Sequence, residues 1–475
     1  MDTAVVWFRD DLRVTGNPTL ADAVAAASTV VPVYVFDPRR RGETRYGTEK
    51  RGPHRSEFRR ESVRDLRCSL RERDGELFVR EGHVEEVVPE VAEQVGAGAV
   101  FAQTKPATEE LRAERAVRDA LPDDSRLERR WTHTLYHLDD LPTRYDSIDD
   151  TFTPWRTEVE RGSTVRNPVA APAEVPTPSL PPGEIPTLDD LGLSEPSLDD
   201  RAVLPFEGGE TAGMDRVEDY IWDSDHLRKY KQTRNGLLGA DYSSKFSPWL
   251  AAGCLSPRWI HREVKRYEDE RVANEDTYWL VFELLWRDFF QFQFLKHGGD
   301  FFQPDGIRGV EKGWRRDRDA FERWARGETG LPFVDANMRE LNETGYMSNR
   351  GRQNVASFLA DALRIDWRWG AAYFEGCLVD YDVASNWGNW AYQAGVGNDS
   401  RDNHFDVLSQ ARRYDSDADY VTTWLPELDG LPTEYAHRPW RMSADEQASY
   451  DVQLGVDYPR PMLDIEARYD ELRDR

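Results

Sequence analysis

The 475-residue sequence has three cysteines and six methionines, and only eight of its 62 basic residues are lysine. Cys68, Cys254 and Cys377 lie far apart without CxxC or His spacing, which argues against a disulfide framework or a zinc site and suits buried thiols. There is no apolar run long enough to span a bilayer and no charge-flanked apolar segment at the start, so a cytoplasmic protein outside membranes is expected. No GxGxxG follows a strand-like segment, so the usual dinucleotide fingerprint is missing. What is abundant is acid: 88 Asp and Glu against 62 Lys and Arg, a formal net charge of -26. An acidic, lysine-poor surface stays hydrated in a very salty cytoplasm, and we read it as a halophile's adaptation. It does not exclude a nucleic-acid partner, because a groove can be locally basic.

Taken in order, residues 1–135 alternate strand and helix. TAVVWF, TVVPVYVF and, more weakly, ELFVREG and AVFAQ read as buried strands between helical segments such as EFRRESVRDLRCSLRER and VEEVVPEVAEQV. That rhythm predicts an α/β domain with a doubly wound parallel sheet. Residues 136–205 turn rich in Pro, Ser, Asp and Thr and read as a linker running over the surface. Residues 206–440 read as an all-α domain, and 441–475 as a charged tail, either a short surface helix or mobile.

Three segments of the helical part carry residues that a plain core does not need. In YSSKFSPWL, Ser243, Ser244 and Ser247 with Lys245 precede an apolar helix, where hydroxyls and amides can meet a phosphate or simply cap the helix. In YWLVFELLWRDFFQF, Glu283 and Arg287 stand at i and i+4 among apolar neighbours and are expected to form a buried pair, with Trp286 on the same face. In SNRGRQNVASFL, Asn349, Arg352 and Gln353 share a face, and Asp380 or Asp382 is a candidate partner for Arg352. Further on, Asp382, Asn386 and Trp390 follow at helical spacing, a polar and aromatic wall for a planar, phosphate-bearing cofactor. Mutual satisfaction within a helix pair is the plainer reading of that wall.

Across Thr3 to about Trp440 these motifs, above all YKQTRNGLLGADYSSKFSPWLAAGCLSPR, ELLWRDFFQF, TGLPFVDANMRELNETGYMSNRGRQNVASFL and DYDVASNWGNWAYQAGVGND, resemble the photolyase and cryptochrome family, most of all its DASH subgroup. The resemblance implies FAD held in a folded form in the helical domain. Tyr230, Ser243, Ser244, Lys245, Phe246 and Ser247 then match the FAD-phosphate contacts; Glu283, Arg287, Asn349, Arg352, Asp380 and Asp382 match the inner cavity, and Asn386 faces flavin N5. Trp390, Trp367 and Trp314 match the family's electron-transfer chain from flavin to surface.

The activity implied is blue-light repair of cyclobutane pyrimidine dimers by electron transfer from reduced FAD. The alternative within the same resemblance is a blue-light receptor with little or no repair. Where duplex photolyases carry Trp and Met, this chain has Tyr392 and Gln353, so single-stranded DNA is the expected substrate: stacking on an aromatic contributes roughly 1–3 kcal/mol per base. Arg234, Trp286, Asn349, Arg350, Gln353, Tyr392, Arg401 and Gln410 are the candidate DNA contacts of a monomer. DASH proteins resemble one another in binding methenyltetrahydrofolate as an antenna through a Glu after the fourth strand. Lys105 holds that position here and Glu109 lies one turn later, so folate, a deazaflavin and no antenna all stay open.

Overall fold

Five parallel strands form the first half of the molecule, in the order β3-β2-β1-β4-β5, in a computed structural model that describes residues 1–398 and 404–473. The strands are β1 (Thr3–Phe8), β2 (Thr29–Phe36), β3 (Phe78–Glu81), β4 (Ala99–Gln103) and β5 (Arg126–Arg130). Alternate residues of β1 serve two layers. Ala4, Val6 and Phe8 meet α1 (Pro18–Ala26) and α2 (Pro53–Arg71) through Leu20, Phe58 and Leu66. Val5 and Trp7 meet α3 (Val84–Val95) and α4 (Thr108–Ala120) through Val88, Val91 and Val117. The sheet is therefore covered on both faces, as its continuous apolar strands require, and the doubly wound α/β expectation holds.

The strand β5, RLERR, has no apolar pattern because it lies at the edge, paired on one side to β4. The proline-rich stretch lies against the sheet, where Val30 and Val79 donate to the carbonyls of Pro176 and Pro182, and Val175, Leu188 and Leu191 are buried. It is not structureless, since α5 (Phe152–Gly162) interrupts it and packs Phe152 and Trp155 on the helical half.

The second half is helical, as expected. Its longest member, Glu275–His297, starts on a capping box of Asn274 and Thr277 and is buried along much of its length. Asp288 on this helix accepts from the backbone N–H groups of Leu135 and Tyr136, tying it to the segment that follows β5. The residues after 440 form helices Ala444–Tyr450 and Ile465–Arg473 and bury Val452, Leu454, Tyr458 and Tyr469. Tyr458 donates to Asp335 and Val407 donates to the Tyr469 hydroxyl, so this segment is docked by apolar burial and hydrogen bonds rather than free. Among the described residues no helix is long and apolar enough to cross a membrane, and no His, Cys, Asp and Glu cluster could hold a metal.

Candidate functional site

Three helices close around a cleft of about 530 Å³ in the helical half: Asn349–Ser357, Trp367–Cys377 and Val383–Gln393. Its wall combines Ala356, Phe374, Leu378 and Trp390 with Asn349, Arg352, Gln353, Asp380, Asp382 and Asn386. A cleft that joins apolar and aromatic side chains to convergent polar groups is the usual form of a cofactor site. Arg352 donates to Asp380 at 2.8 Å, the pairing that the sequence suggested. The second Asp380 oxygen and the Gln353 amide oxygen are buried without a hydrogen-bond partner among the described residues. Such orphans are costly unless a ligand completes them.

Asp382 caps the Val383–Gln393 helix by accepting from Ser385 N–H at 2.9 Å, and the same oxygen accepts from Gln291 at 2.8 Å. Its other oxygen faces the Lys105 ammonium at 3.3 Å. Burial alone would raise this carboxyl, but Lys105 and then Arg287 outweigh it and hold it at about 2. One turn on, Asn386 donates its amide N–H to the Ala371 carbonyl at 2.9 Å. That bond fixes the amide's rotation and leaves its oxygen as an acceptor on a residue that lines the cleft.

The serine-rich segment wraps the adjoining region. Lys245 is a non-glycine residue in the left-handed conformation (φ 60°), followed by Phe246 in the right-handed one. Such a reversal aims successive backbone N–H groups into a concavity that suits an anion, and its strain, about 1–3 kcal/mol, is the kind found at ligand sites. The Lys245 ammonium lies over the Tyr242 ring and 5.8 Å from the Tyr346 ring, and Arg352 stacks on that same Tyr346 ring, at 5.5 Å. Burial pushes Lys245 down to about 6. The helix that follows, Ser247–Ala252, ends at Gly253 (φ +72°), where any Cβ would lie 1.9 Å from the Asp10 carbonyl oxygen. Glycine there lets this helix sit directly on the loop after β1. Tyr230 is buried nearby, close to Glu283 and Arg234 in charge.

Trp390 reaches the helix Trp367–Cys377 at Gly370, where a Cβ would fall 2.2 Å from the indole edge. Trp367 stands one turn before Gly370 on that helix. Its indole N–H donates to the Pro304 carbonyl at 3.2 Å, and the Trp314 indole donates to the same oxygen at 2.8 Å. Trp390 and Trp367 are buried, whereas Trp314 is half exposed. The three indoles thus lead from the cavity wall to the surface.

Glu283 and Arg287 do not pair. Glu283 forms an ion pair with Arg234 at 2.8 Å, and Arg287 donates to the carbonyls of His133 and Leu250. Helical spacing fixes which residues share a face, not which of several partners wins. Trp286 stacks on Phe152 at 3.7 Å and 6°, lies 5.9 Å from Phe290 at 30°, and meets Tyr392 edge-on at 6.2 Å. Arg350 bonds Asn235 and lies 4.6 Å from the Tyr414 ring centre; the Gln410 amide oxygen is a further buried orphan. Arg401 lies outside the described residues.

Sequence reasoning missed a second pocket, at the C-terminal end of β2. Tyr34, Phe36, Asp37, Arg40, Arg51 and Arg59 line it, and their side chains leave an interior of only about 10 Å³. Asp10 neutralises Arg59 at 2.6 Å, whereas the Arg51 side chain makes no hydrogen bond or close ion pair with a described residue. Burial, with Arg55 and Arg59 close by, pushes Arg51 down to about 9. The only local signal was the density of arginines in DPRRRGETRYGTEKRGPHRSEFRR.

Residues 279–475 match the family model described as the FAD binding domain of DNA photolyase, and residues 4–178 the model described as DNA photolyase. The chain is 72% identical over 474 residues to the cryptochrome DASH of Natronomonas pharaonis, covering 99% of this chain and 100% of that protein. It superposes on the Synechocystis sp. cryptochrome with a TM-score of 0.96 at 47% identity, covering 100% and 99% of the two chains. An archaeal photolyase from Sulfolobus tokodaii, whose structure is described as holding two FAD molecules, gives 0.80 at 25% identity with 99% of each chain covered.

Proposed function

Because the chain belongs to the photolyase and cryptochrome family, with cryptochrome DASH proteins as near relatives, we propose that it is a blue-light flavoprotein repairing cyclobutane pyrimidine dimers in single-stranded DNA. The observation that carries this reading is the join of cavity and indoles, with Asn386 on the wall, Trp390 beside it, and Trp367 and Trp314 on one carbonyl. The residues fit FAD, since the apolar wall suits a ring, the orphaned Asp380 oxygen suits an N–H donor, and the Lys245 turn suits a diphosphate. When bound and reduced, FAD supplies a light-driven electron to the dimer and takes it back after the ring splits.

The chain's own part is to bind, orient and exclude water. Asn386 presents an oxygen whose direction is set by Ala371, and the Arg352–Asp380 pair keeps fixed charge beside the ring without net charge. For the substrate, this reading assigns stacking to Trp286, which Phe152 backs, and Gln353 offers an unsatisfied amide oxygen. A single stacking face at roughly 1–3 kcal/mol per base favours a dimer that is already unpaired over one that must be flipped out of a duplex. Arg234 is neutralised by Glu283, so phosphate attraction is weak in this reading, in keeping with a halophile's cytoplasm.

For the antenna, Lys105 is taken by Asp10 and Asp382, and Glu109 by Lys50 at 2.7 Å. Glu109 keeps its carboxylate at the surface in an exposed pair with Lys50, and the arginines at the end of β2 add positive charge, a set that favours an anionic antenna such as methenyltetrahydrofolate or a second flavin like that of the Sulfolobus protein. The absorption spectrum of the purified protein distinguishes these.

The decisive experiment illuminates the reduced protein with dimer-bearing oligonucleotides and measures restored thymines. Repair of the single strand with little on the matched duplex is expected. Equal turnover on both overturns the strand preference, and no repair on either leaves a light receptor.

A further inference from the structure

Lys105 stands at the seam between the two halves of the molecule, in the loop after β4. Its buried ammonium lies 3.2 Å from Asp10 and 3.3 Å from Asp382. Asp10, in the loop after β1, has a second cation in Arg59 at 2.6 Å. Asp382 has none bonded to it, because its other partners are the Gln291 amide and the Ser385 N–H. Removing Lys105 therefore leaves Asp382 with no bonded cation, while Asp10, which also loses a strong partner, keeps Arg59.

We propose that Lys105 is a positioning residue for the flavin site: a buried strut from the α/β domain that keeps Asp382 ionised and seated as the cap of the Val383–Gln393 helix. Through that helix it fixes Asn386 and Trp390. The inference rests on the FAD reading and adds to it a residue from the other domain.

The charges around Asp382 leave this task to Lys105. Besides Lys105, the groups facing it are Gln291 and Arg287 from the Glu275–His297 helix, His133 from the segment after β5, and Ser385 on its own helix. Arg287 acts only at longer range, since its guanidinium is bonded to the His133 and Leu250 carbonyls. His133 is kept neutral by burial and by Lys105 and Arg287, so it does not substitute. Burial would neutralise Lys105 too, but Asp10 and Asp382 hold it charged. A carboxylate lowered in the folded state keeps its contribution above its unfolded pKa and loses it as pH falls through the folded value. Without Lys105 that folded value climbs and the loss moves toward neutral pH.

The test uses the full chain stripped of flavin, with FAD rebinding followed by flavin fluorescence from pH 8 to pH 5. The variants are Lys105→Met, Lys105→Gln and Lys105→Arg, each alone and with Asp382→Asn. The ratio of mutant to wild-type dissociation constants is expected to widen for Met and Gln by about tenfold as pH falls to 5. Arg should restore the wild-type profile, and none of the three should widen the ratio in the Asp382→Asn background. A ratio constant with pH, or the same widening in that background, overturns the strut. Gln keeps hydrogen-bonding capacity, so it reports even where Met fails to fold. A wild-type chain that takes up no FAD at any pH refutes the cofactor reading instead, and the two failures are distinct.

Discussion

The two pockets differ in how their charges are settled. In the cleft of the helical half the two carboxylates are matched, Asp380 by Arg352 and Asp382 by Lys105. In the pocket at the end of β2 the arginines outnumber their partners, and Arg51 is left with none among the described residues. What the cleft leaves unsatisfied is hydrogen bonding rather than charge, at the second Asp380 oxygen and the Gln353 amide oxygen. The unbalanced pocket is destabilising until an anion arrives, so its occupancy and the protein's stability are linked.

The largest expected effect comes from unbalancing the first pocket. Arg352→Ala leaves the buried Asp380 without its cation and should cost about 3 kcal/mol in urea unfolding of the flavin-free protein. Arg352→Met combined with Asp380→Asn should recover most of it. A small loss in the single mutant would mean that water already serves Asp380. Next in size, Arg51→Met should stabilise the protein by about 1–2 kcal/mol when no anion is present. It should also remove most of the stabilisation that added phosphate gives the wild type. If the mutant is less stable instead, the pocket is balanced by something other than a ligand, and the contrast fails.

The smallest effect is a proton. Lys245, at about 6 in the flavin-free chain, is mostly neutral at pH 8, and a diphosphate beside it would raise it. A lysine lowered in the folded state makes the flavin-free protein gain stability as pH rises between about 6 and its usual value. FAD binding reverses this and should take up as much as about one proton at pH 8, seen as a dependence of binding enthalpy on buffer ionisation. Lys245→Arg, charged throughout, should show no uptake.

How much of this was legible depended on locality. The strands TVVPVYVF and AVFAQ and the helices between them are readable because burial on two faces writes itself as continuous apolar runs. RLERR is not, because an edge strand need not be apolar. The Arg352–Asp380 pair could be guessed from side-chain chemistry. Glu283's choice of Arg234 over Arg287 could not, because Arg234 comes from a segment 49 residues earlier and only the packing sets its distance. Lys105 is the extreme case, an ordinary lysine in FAQTKPATEE whose task is defined by a carboxylate 277 residues away. The docked residues after 440 were hidden for a related reason: their apolar side chains are spaced for a neighbouring surface rather than for a helix period of their own.

The Pro304 carbonyl that accepts from both Trp367 and Trp314 would govern the fate of a hole, were an electron drawn from either ring. An oxidised indole becomes acidic at its N–H, and whether it keeps that proton depends on the base it faces. A peptide carbonyl is a very weak base, and one oxygen shared between two donors is weaker still. A hole on either indole would therefore stay a cation, drawn to the same dipole and able to pass between the two rings without waiting for a proton to follow. It would also remain recoverable by charge return until it met an outside reductant at Trp314, the half-buried ring of the pair.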